Sequence, residues 1–468
     1  MIRGRAGRAA MLAAGMGFLG GVAAAQESDS ERLKRLESQV KKQQEEIDKL
    51  KKTPPGDKPS DGGLTGSLTD GLRFKTADGN IDLHVGGRFQ EHLRVLLDRP
   101  DTARTSPDTF FIQAARLRVE GTFFKDYGFR VEGDFPSSTT GPTPTLQSSF
   151  VEWKKLKELR LMFGQFKAPM SQERLRSRLF SDFVADSTLT RFVPGYEIGI
   201  QAYGQLAGGA VEYRIAGING RSHLTNAGRS RHDDNDEKEL VARLTFSPWA
   251  ADKEATFLKG LRVGVSGSIT EIDDVPITGA AITNFDISTP ELGVTFLDPA
   301  TTVGAVNLDG SRTRLGAELS WPVGPACLRA EYLLREDDMV NGALEEDVRT
   351  RAWSATLTYL LTGEDKIPET RVTPTHPFDL EGGWGAVELA ARVGWAEVGD
   401  EIEDLGVTLA GQSSEVTSTT LGVNWWLTRN VRISVNVVRE DYHDDIDFGG
   451  GRTEDTLTGF LARFQIDF

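Results

Sequence analysis

The sequence predicts an all-β fold, a 16-stranded antiparallel transmembrane β-barrel behind an N-terminal signal peptide and a short coiled-coil helix. Three observations carry that expectation. After the first 25 residues there is no run of about twenty apolar residues, so a protein that spans a membrane with helices is excluded. From Ile81 onward the dominant pattern has period two, with apolar residues on one face and charged or small polar residues on the other. The gaps between candidate strands alternate between short and long, as turns and loops do on the two rims of an outer-membrane barrel.

At the N-terminus, Arg3, Arg5 and Arg8 precede an apolar stretch from Ala9 to Ala24 that contains no acid, the layout of a secretory signal. Ala23 and Ala25 fit an A-x-A cleavage site, which predicts a signal peptide over 1–25 and a mature start at Gln26. Residues 26–52 read as a periplasmic coiled-coil helix, because Leu33, Leu36, Val40, Gln43, Ile47 and Leu50 alternate at a and d heptad positions. The repeat is short and Gln43 is polar, so self-association, expected to be trimeric, needs help from the barrel. Pro54, Pro55, Gly56 and Pro59 break the helix, and residues 53–80 read as an extended linker to a barrel over 81–468.

Composition excludes several functions. With 54 basic against 69 acidic residues and a net charge of −15, the chain is a poor partner for nucleic acid. The single Cys327 cannot form an intramolecular disulfide and is expected to be buried and inert. No Cys or His group has metal-ligand spacing, so no metal and no cofactor are expected. His84, His92, His223, His232, His376 and His443 are scattered without a partnered nucleophile, so the chain does not read as an enzyme.

Candidate strands fall at 81–97, 110–124, 128–135, 147–153, 158–165, 198–206, 210–219 and 239–248. The second half continues with 259–271, 311–321, 326–336, 349–361, 385–397, 417–427, 430–440 and 456–468. Within the second strand, Arg116, Arg118, Glu120 and Thr122 share one face, and Leu117, Val119 and Phe123 share the other. Lys125–Tyr127, Lys154–Lys157, Ala207–Gly209, Pro322–Pro325 and Thr428–Asn430 make the short, periplasmic turns. The gaps at 248–258 and 362–384 are long but fall on the same rim. Trp153, Trp249, Trp321, Trp384, Trp425 and Trp426 lie near it, as an aromatic girdle requires.

Several blocks then resemble one family. Gly164-Gln165-Phe166-Lys167-Ala168-Pro169, with Ser171 and Glu173, is similar to the segment GQFKxPxSxE of the phosphate-selective porin O and P family. Thr362-Gly363-Glu364 matches its LTGE element, and Pro377-Phe378 with Gly382-Gly383-Trp384-Gly385-Ala386 matches its PF…GGWGAxEL block. Asn424-Trp425-Trp426-Leu427 with Arg432-Ile433 resembles its GxNWYLxxNxRI hairpin, and Arg463 to Phe468 its ending. The resemblance implies a homotrimeric passive channel in outer-membrane lipid, with inorganic anions such as phosphate as its solute. Where many relatives carry PGRDxG, this chain has Tyr196 in place of the arginine.

Anion passage needs fixed positive charge on a wetted wall, and arginine suits it because its fork matches phosphate oxygens and keeps its charge. Strand parity assigns Arg88, Arg94, Arg116, Arg118, Arg130, Arg160, Arg262, Arg312, Arg314, Arg392, Arg432 and Arg463 to the lumen. The competing expectation for each is simple pairing with a lumen acid such as Glu120, Glu132, Asp134, Glu318 or Glu388. The constriction is expected in the loop from Phe166 to Glu197, whose cations are Lys167, Arg174, Arg176, Arg178 and Arg191. Acidic runs at Asp233–Glu237, Glu336–Asp338, Glu345–Asp347, Glu401–Asp404 and Asp444–Asp445 read as solvated loop charge that would repel anions at the mouth. They make a general or weakly cation-tolerant porin the main alternative, with an envelope tether behind it.

Overall fold

The computed structural model describes residues 64–67, 71–97, 108–136, 144–220, 236–250, 257–277, 287–298, 306–449 and 452–468, with the isolated positions 38, 41 and 252. The expected signal peptide and all but two positions of the expected coiled coil lie outside the described residues. The chain divides into two compact units, Met1–Gly63 and Leu64–Phe468, and the second holds every described strand.

In chain order the strands are β1 (Leu64–Ser67), β2 (Leu72–Thr76), β3 (Ile81–Leu96), β4 (Thr109–Phe123), β5 (Tyr127–Asp134), β6 (Thr145–Trp153) and β7 (Arg160–Lys167). They continue as β8 (Tyr196–Leu206), β9 (Val211–Ile218), β10 (Glu239–Phe246), β11 (Arg262–Pro276), β12 (Ile287–Ser288), β13 (Thr295–Leu297) and β14 (Asn307–Val323). The last are β15 (Ala326–Asn341), β16 (Leu344–Leu360), β17 (Ala386–Val398), β18 (Glu415–Trp426), β19 (Val431–Gly449) and β20 (Arg452–Asp467). Sixteen of them, β3–β11 and β14–β20, pair antiparallel with their neighbours, and β20 closes the ring on β3 with Asp467 opposite Arg88 and Gly459 opposite Leu96. The 16-stranded barrel expected from alternation and loop length is therefore the observed fold.

The side-chain pattern shows which way each face points. On β20, Phe464, Ile466 and Phe468 are exposed while Arg463, Gln465 and Asp467 are buried. On β18, Leu421 and Val423 are exposed and Thr420 and Asn424 are buried. A soluble sandwich would bury the apolar set; a barrel in lipid reverses it. Trp425 follows this rule, but Trp426 does not belong to the girdle: its parity turns it inward, where it is buried beneath the Arg432 guanidinium, 4.4 Å from the ring centre.

The structure corrects the sequence reading in three further places. Leu64–Ser67 and Leu72–Thr76, expected as linker, pair with each other as β1 and β2, and β2 pairs with the start of β3, Leu72 opposite Val85. The acidic runs at Asp444–Asp445, Glu336–Asp338 and Glu345–Asp347 are not loop: the first lies within β19, and β15 and β16 run on through the other two to a two-residue turn at Gly342 and Ala343. These strands have 16 and 17 residues, where crossing the bilayer takes about 9–11, so their loop ends project beyond it. Finally, the inward face is not polar throughout. On β16–β20 it includes an apolar band toward the loop rim, with Val348, Ala396, Val416, Val438, Leu457 and Leu461 buried, while β10, β14 and β15 keep charged pairs at that end, Arg314 with Glu239 and Asp337 with Arg312 and Arg335. The reason is local: the β12–β13 hairpin folds inside the mouth, burying Leu292, Val294, Phe296 and Leu297 against that wall.

Candidate functional site

The long connection between β7 and β8 folds into the lumen and is held there by the wall. It begins where Gly164, at a φ of +126, lets β7 approach Ser149; a Cβ at that position would stand 2.3 Å from the Ser149 carbonyl oxygen. A helical turn at Gln172–Leu175 follows, capped by the Ser171 hydroxyl, which accepts from the Arg174 N–H. Across the lumen, Ser171 donates to Glu331 at 2.6 Å, and Gln172 donates to the carbonyls of Leu319 and Ala330. Further along, Arg432 donates to the Ser181 carbonyl at 2.8 Å, and Asn436 accepts from the Val184 N–H at 2.7 Å. Arg463 donates to Ser181 Oγ at 3.0 Å and to the Val184 carbonyl.

All twelve arginines assigned by parity lie on the inward face, but their surroundings differ. Arg116 pairs with Asp134 and Glu132, at 2.6 and 2.8 Å. Arg118 and Arg130 share Glu120, and Arg262 meets Glu369 at 2.8 Å. Arg312 pairs with Asp337, and Arg314 with Glu239 at 2.6 Å while also donating to the Phe192 carbonyl. Arg392 bridges Glu291, at 2.8 Å, and the loop's Glu173, at 3.1 Å. Arg94 and Arg160 lie over the rings of Phe111 and Tyr203. Arg88 donates to Ser177 Oγ at 3.3 Å.

On the loop itself, Arg176 and Arg178 are paired with Asp182 and Asp186, at 2.9 and 2.7 Å, so neither presents a free basic edge. Arg191 reaches across to Ser288 of the inner hairpin. Lys167 donates to the Arg176 carbonyl at 2.7 Å, and Arg174 lies against Gly195. Among the described residues, no carboxylate forms an ion pair with Arg88, Lys167, Arg174, Arg432 or Arg463. Arg88, Arg432 and Arg463 stand on β3, β19 and β20, three adjacent strands. Tyr196, in place of the family arginine, takes a hydrogen bond from Arg116 at 3.4 Å and stacks under the Lys167 ammonium.

The cations that escaped the sequence reading include Arg243, Arg329, Arg335, Lys366 and Arg371. Arg329 and Arg335 share the inward face of β15 with Glu331, and Arg243 faces Glu318 at 2.5 Å, so parity could have found all three. Lys366 and Arg371 lie in the connection between β16 and β17, where no alternation exists to orient them. That connection turns up into the barrel, and Lys366 meets both Glu388 and the constriction loop's Asp182, the latter at 3.0 Å. Asp182 is thus held by Arg176, Arg329 and Lys366 together. Burial lowers the Lys366 ammonium to about 8 despite the adjacent Glu388 carboxylate.

Among the described residues, one cavity lies against the loop and another opens away from it. One, with about 500 Å³ of empty space, is lined by Glu173, Arg176, Arg262, Arg329, Glu331 and Glu369 among others. The other opens at the turn rim with about 1220 Å³, bounded by Asp82, His84, Glu120, Arg130, Lys154 and Arg371 among others.

The family described as phosphate-selective porin O and P matches residues 84–468. No curated protein matches the chain. Among solved structures, the trimer form of OmpT folded in vitro, an outer membrane protein of Vibrio cholerae, is similar with a TM-score of 0.51 and 11% identity, covering 83% of this chain and 99% of that one. OprB of Pseudomonas putida, at high pH, gives 0.50 at 10% identity, covering 84% and 95%. An anion-selective porin from Comamonas acidovorans gives 0.47 at 12% identity, covering 83% and 100%. At these identities the likeness is one of fold.

Proposed function

This chain belongs to the phosphate-selective porin O and P family, an outer-membrane channel rather than an enzyme by family and fold, and on that premise we propose that it passes small anions by diffusion. Phosphate is the solute the family description suggests, and polyphosphate shares its chemistry. The observation that carries the anion reading is the set of cations around the inward loop that, among the described residues, form no ion pair with a carboxylate: Arg88, Arg432 and Arg463 on the wall, Lys167 and Arg174 at the loop. Fixed positive charge inside a low-dielectric wall raises local anion concentration and excludes cations. The arginines that are paired with acids fix the loop and polarise the lumen. We read the assembly as a homotrimer, in keeping with the trimer described for OmpT.

A second reading, a general porin of weak selectivity, is favoured by the 500 Å³ cavity, where Arg176, Arg262 and Arg329 face Glu173, Glu331 and Glu369 in equal number. Planar-bilayer recording separates the two. The reversal potential in a potassium chloride gradient should report chloride over potassium, and phosphate titrated against chloride should lower the chloride current by competing for the same charges. A cation-selective reversal potential would discard the anion reading and leave a general porin.

A further inference from the structure

The connection between β16 and β17 leaves the barrel wall in two directions, inward at Lys366 and outward at Pro377–Trp384. The outward part is a built structure. The Phe378 N–H donates to the Leu427 carbonyl at 2.8 Å, and its ring meets Trp425 edge-on, 5.3 Å between centres. The Trp425 indole N–H donates to the Trp384 carbonyl at 2.7 Å. Trp425 belongs to the face of β18 that carries exposed Leu421 and Val423, so the finger packs on the lipid side of the wall. Asp379 closes the tip by accepting from the N–H groups of Glu381 and Gly383, at 2.8 and 2.9 Å. Gly385, at a φ of +76, returns the chain to β17.

This frame holds two apolar side chains away from the protein: Leu380 is 85% exposed and Trp384 76%. Leu380 also has a φ of +65, a conformation that costs a branched residue energy and persists only where the surroundings enforce it. A strained leucine and a tryptophan on a braced tip, both side chains mostly exposed, are placed for something outside the chain. The finger packs on β18 beside a lipid-facing belt at the turn rim, in which exposed Tyr359, Leu389 and Val423 stand opposite one another across β16, β17 and β18. Tryptophan and leucine partition at the boundary between headgroups and acyl chains, and Asp379 and Glu381 flank them with charge that belongs at headgroup level.

We propose that the Pro377–Trp384 finger is an interfacial anchor, which seats Leu380 and Trp384 in the headgroup–acyl boundary of the periplasmic leaflet, with phospholipid as its partner. The anchor fixes the depth and rotation of the barrel on the side of β16–β19. It also braces the root of the same connection that carries Lys366 into the lumen.

The test places a nitroxide at Leu380→Cys in a Cys327→Ala background, in the full chain reconstituted into phosphatidylethanolamine–phosphatidylglycerol vesicles. Collision rates with oxygen and with a water-soluble nickel chelate are compared, and heat-modifiable gel migration confirms that the barrel has assembled. Oxygen collisions exceeding those with nickel several-fold, at a depth just below the phosphates, are expected. Collisions dominated by nickel would overturn the proposal, since the finger would then stand in periplasmic water. Low collision rates with both would overturn it in favour of a contact with a second copy. If the Leu380→Cys chain does not assemble, a label at Trp384→Cys is read by the same criteria.

Discussion

Asp182 offers the sharpest perturbation. Its carboxylate is buried among Arg176, Arg329 and Lys366, with Arg176 at 2.9 Å and Lys366 at 3.0 Å, and it is the one acid that touches both the constriction loop's own cation and the segment entering from the turn rim. Asp182→Asn keeps the size of the side chain and removes one negative charge. For a permeating ion about 4 Å away, a unit charge is worth about 1 kcal/mol even in bulk water, which is about fivefold in occupancy since 1.4 kcal/mol is tenfold. The change favours anions and disfavours cations together, so the anion-to-cation permeability ratio should rise about 25-fold. Screening weakens this beyond a Debye length of about 10 Å at 0.1 M salt, so the effect should shrink as the bath salt is raised. Leaving buried cations without their partner costs about 3–5 kcal/mol of stability. Heat-modifiable migration must therefore confirm that the variant has folded. The assay is reversal potential across a planar bilayer. A folded variant whose reversal potential matches the unmodified channel would refute the reasoning, because ions would then pass nowhere near Asp182.

Three further outcomes are expected. Because burial lowers the Lys366 ammonium to about 8, raising the bath from about pH 7 to pH 9 removes a positive charge beside Asp182, so anion preference should fall over that range. Lys366→Met should start at the lower value and show a weaker dependence, as read by reversal potential against pH. Removing residues 287–298 takes the apolar hairpin out of the mouth and should raise single-channel conductance several-fold; an unchanged conductance would show that ions already bypass it. Gly164→Ala forces a Cβ to within 2.3 Å of the Ser149 carbonyl at a φ of +126, and it should cost about 1–3 kcal/mol, seen as a lower denaturant midpoint.

What the sequence disclosed and what it withheld divide along physical lines. Alternation is a local signal with a fixed period, so barrel, strand count and the inward parity of Arg312 or Arg463 could be read from it. The same rule would have found Arg329 and Arg335, which share the inward face with Glu331. Charge runs misled, because Glu336–Asp338 look like loop composition yet sit in a strand: Asp337 is paired with Arg312 and Arg335. Strand pairing of that kind depends on a partner strand, which no single stretch encodes. The β12–β13 hairpin was hidden for a related reason. Its Leu292, Val294 and Phe296 read as a short apolar run in a loop, and only the closed ring supplies an apolar wall for them to meet. Lys366 could not be found from periodicity because it lies in an aperiodic connection, and its role follows from where that connection turns.

The ring closes through contacts such as Gln90 to Gln465, at 2.7 Å, between residues 375 apart in sequence. Every other barrel pairing joins consecutive members of the ring. Bringing together ends that far apart costs about 5 kcal/mol of loop entropy, against about 1 kcal/mol for a four-residue turn. The fifteen other pairings can therefore zip locally while β3 and β20 still stand apart, and the β3–β20 seam forms as a single late event with the highest contact order in the molecule. At that seam β2 adds its own pairs to the first residues of β3, Arg73 opposite His84 and Lys75 opposite Asp82. The N-terminal hairpin thus extends the seam at its foot, and substitutions within it should slow assembly before they alter the finished channel.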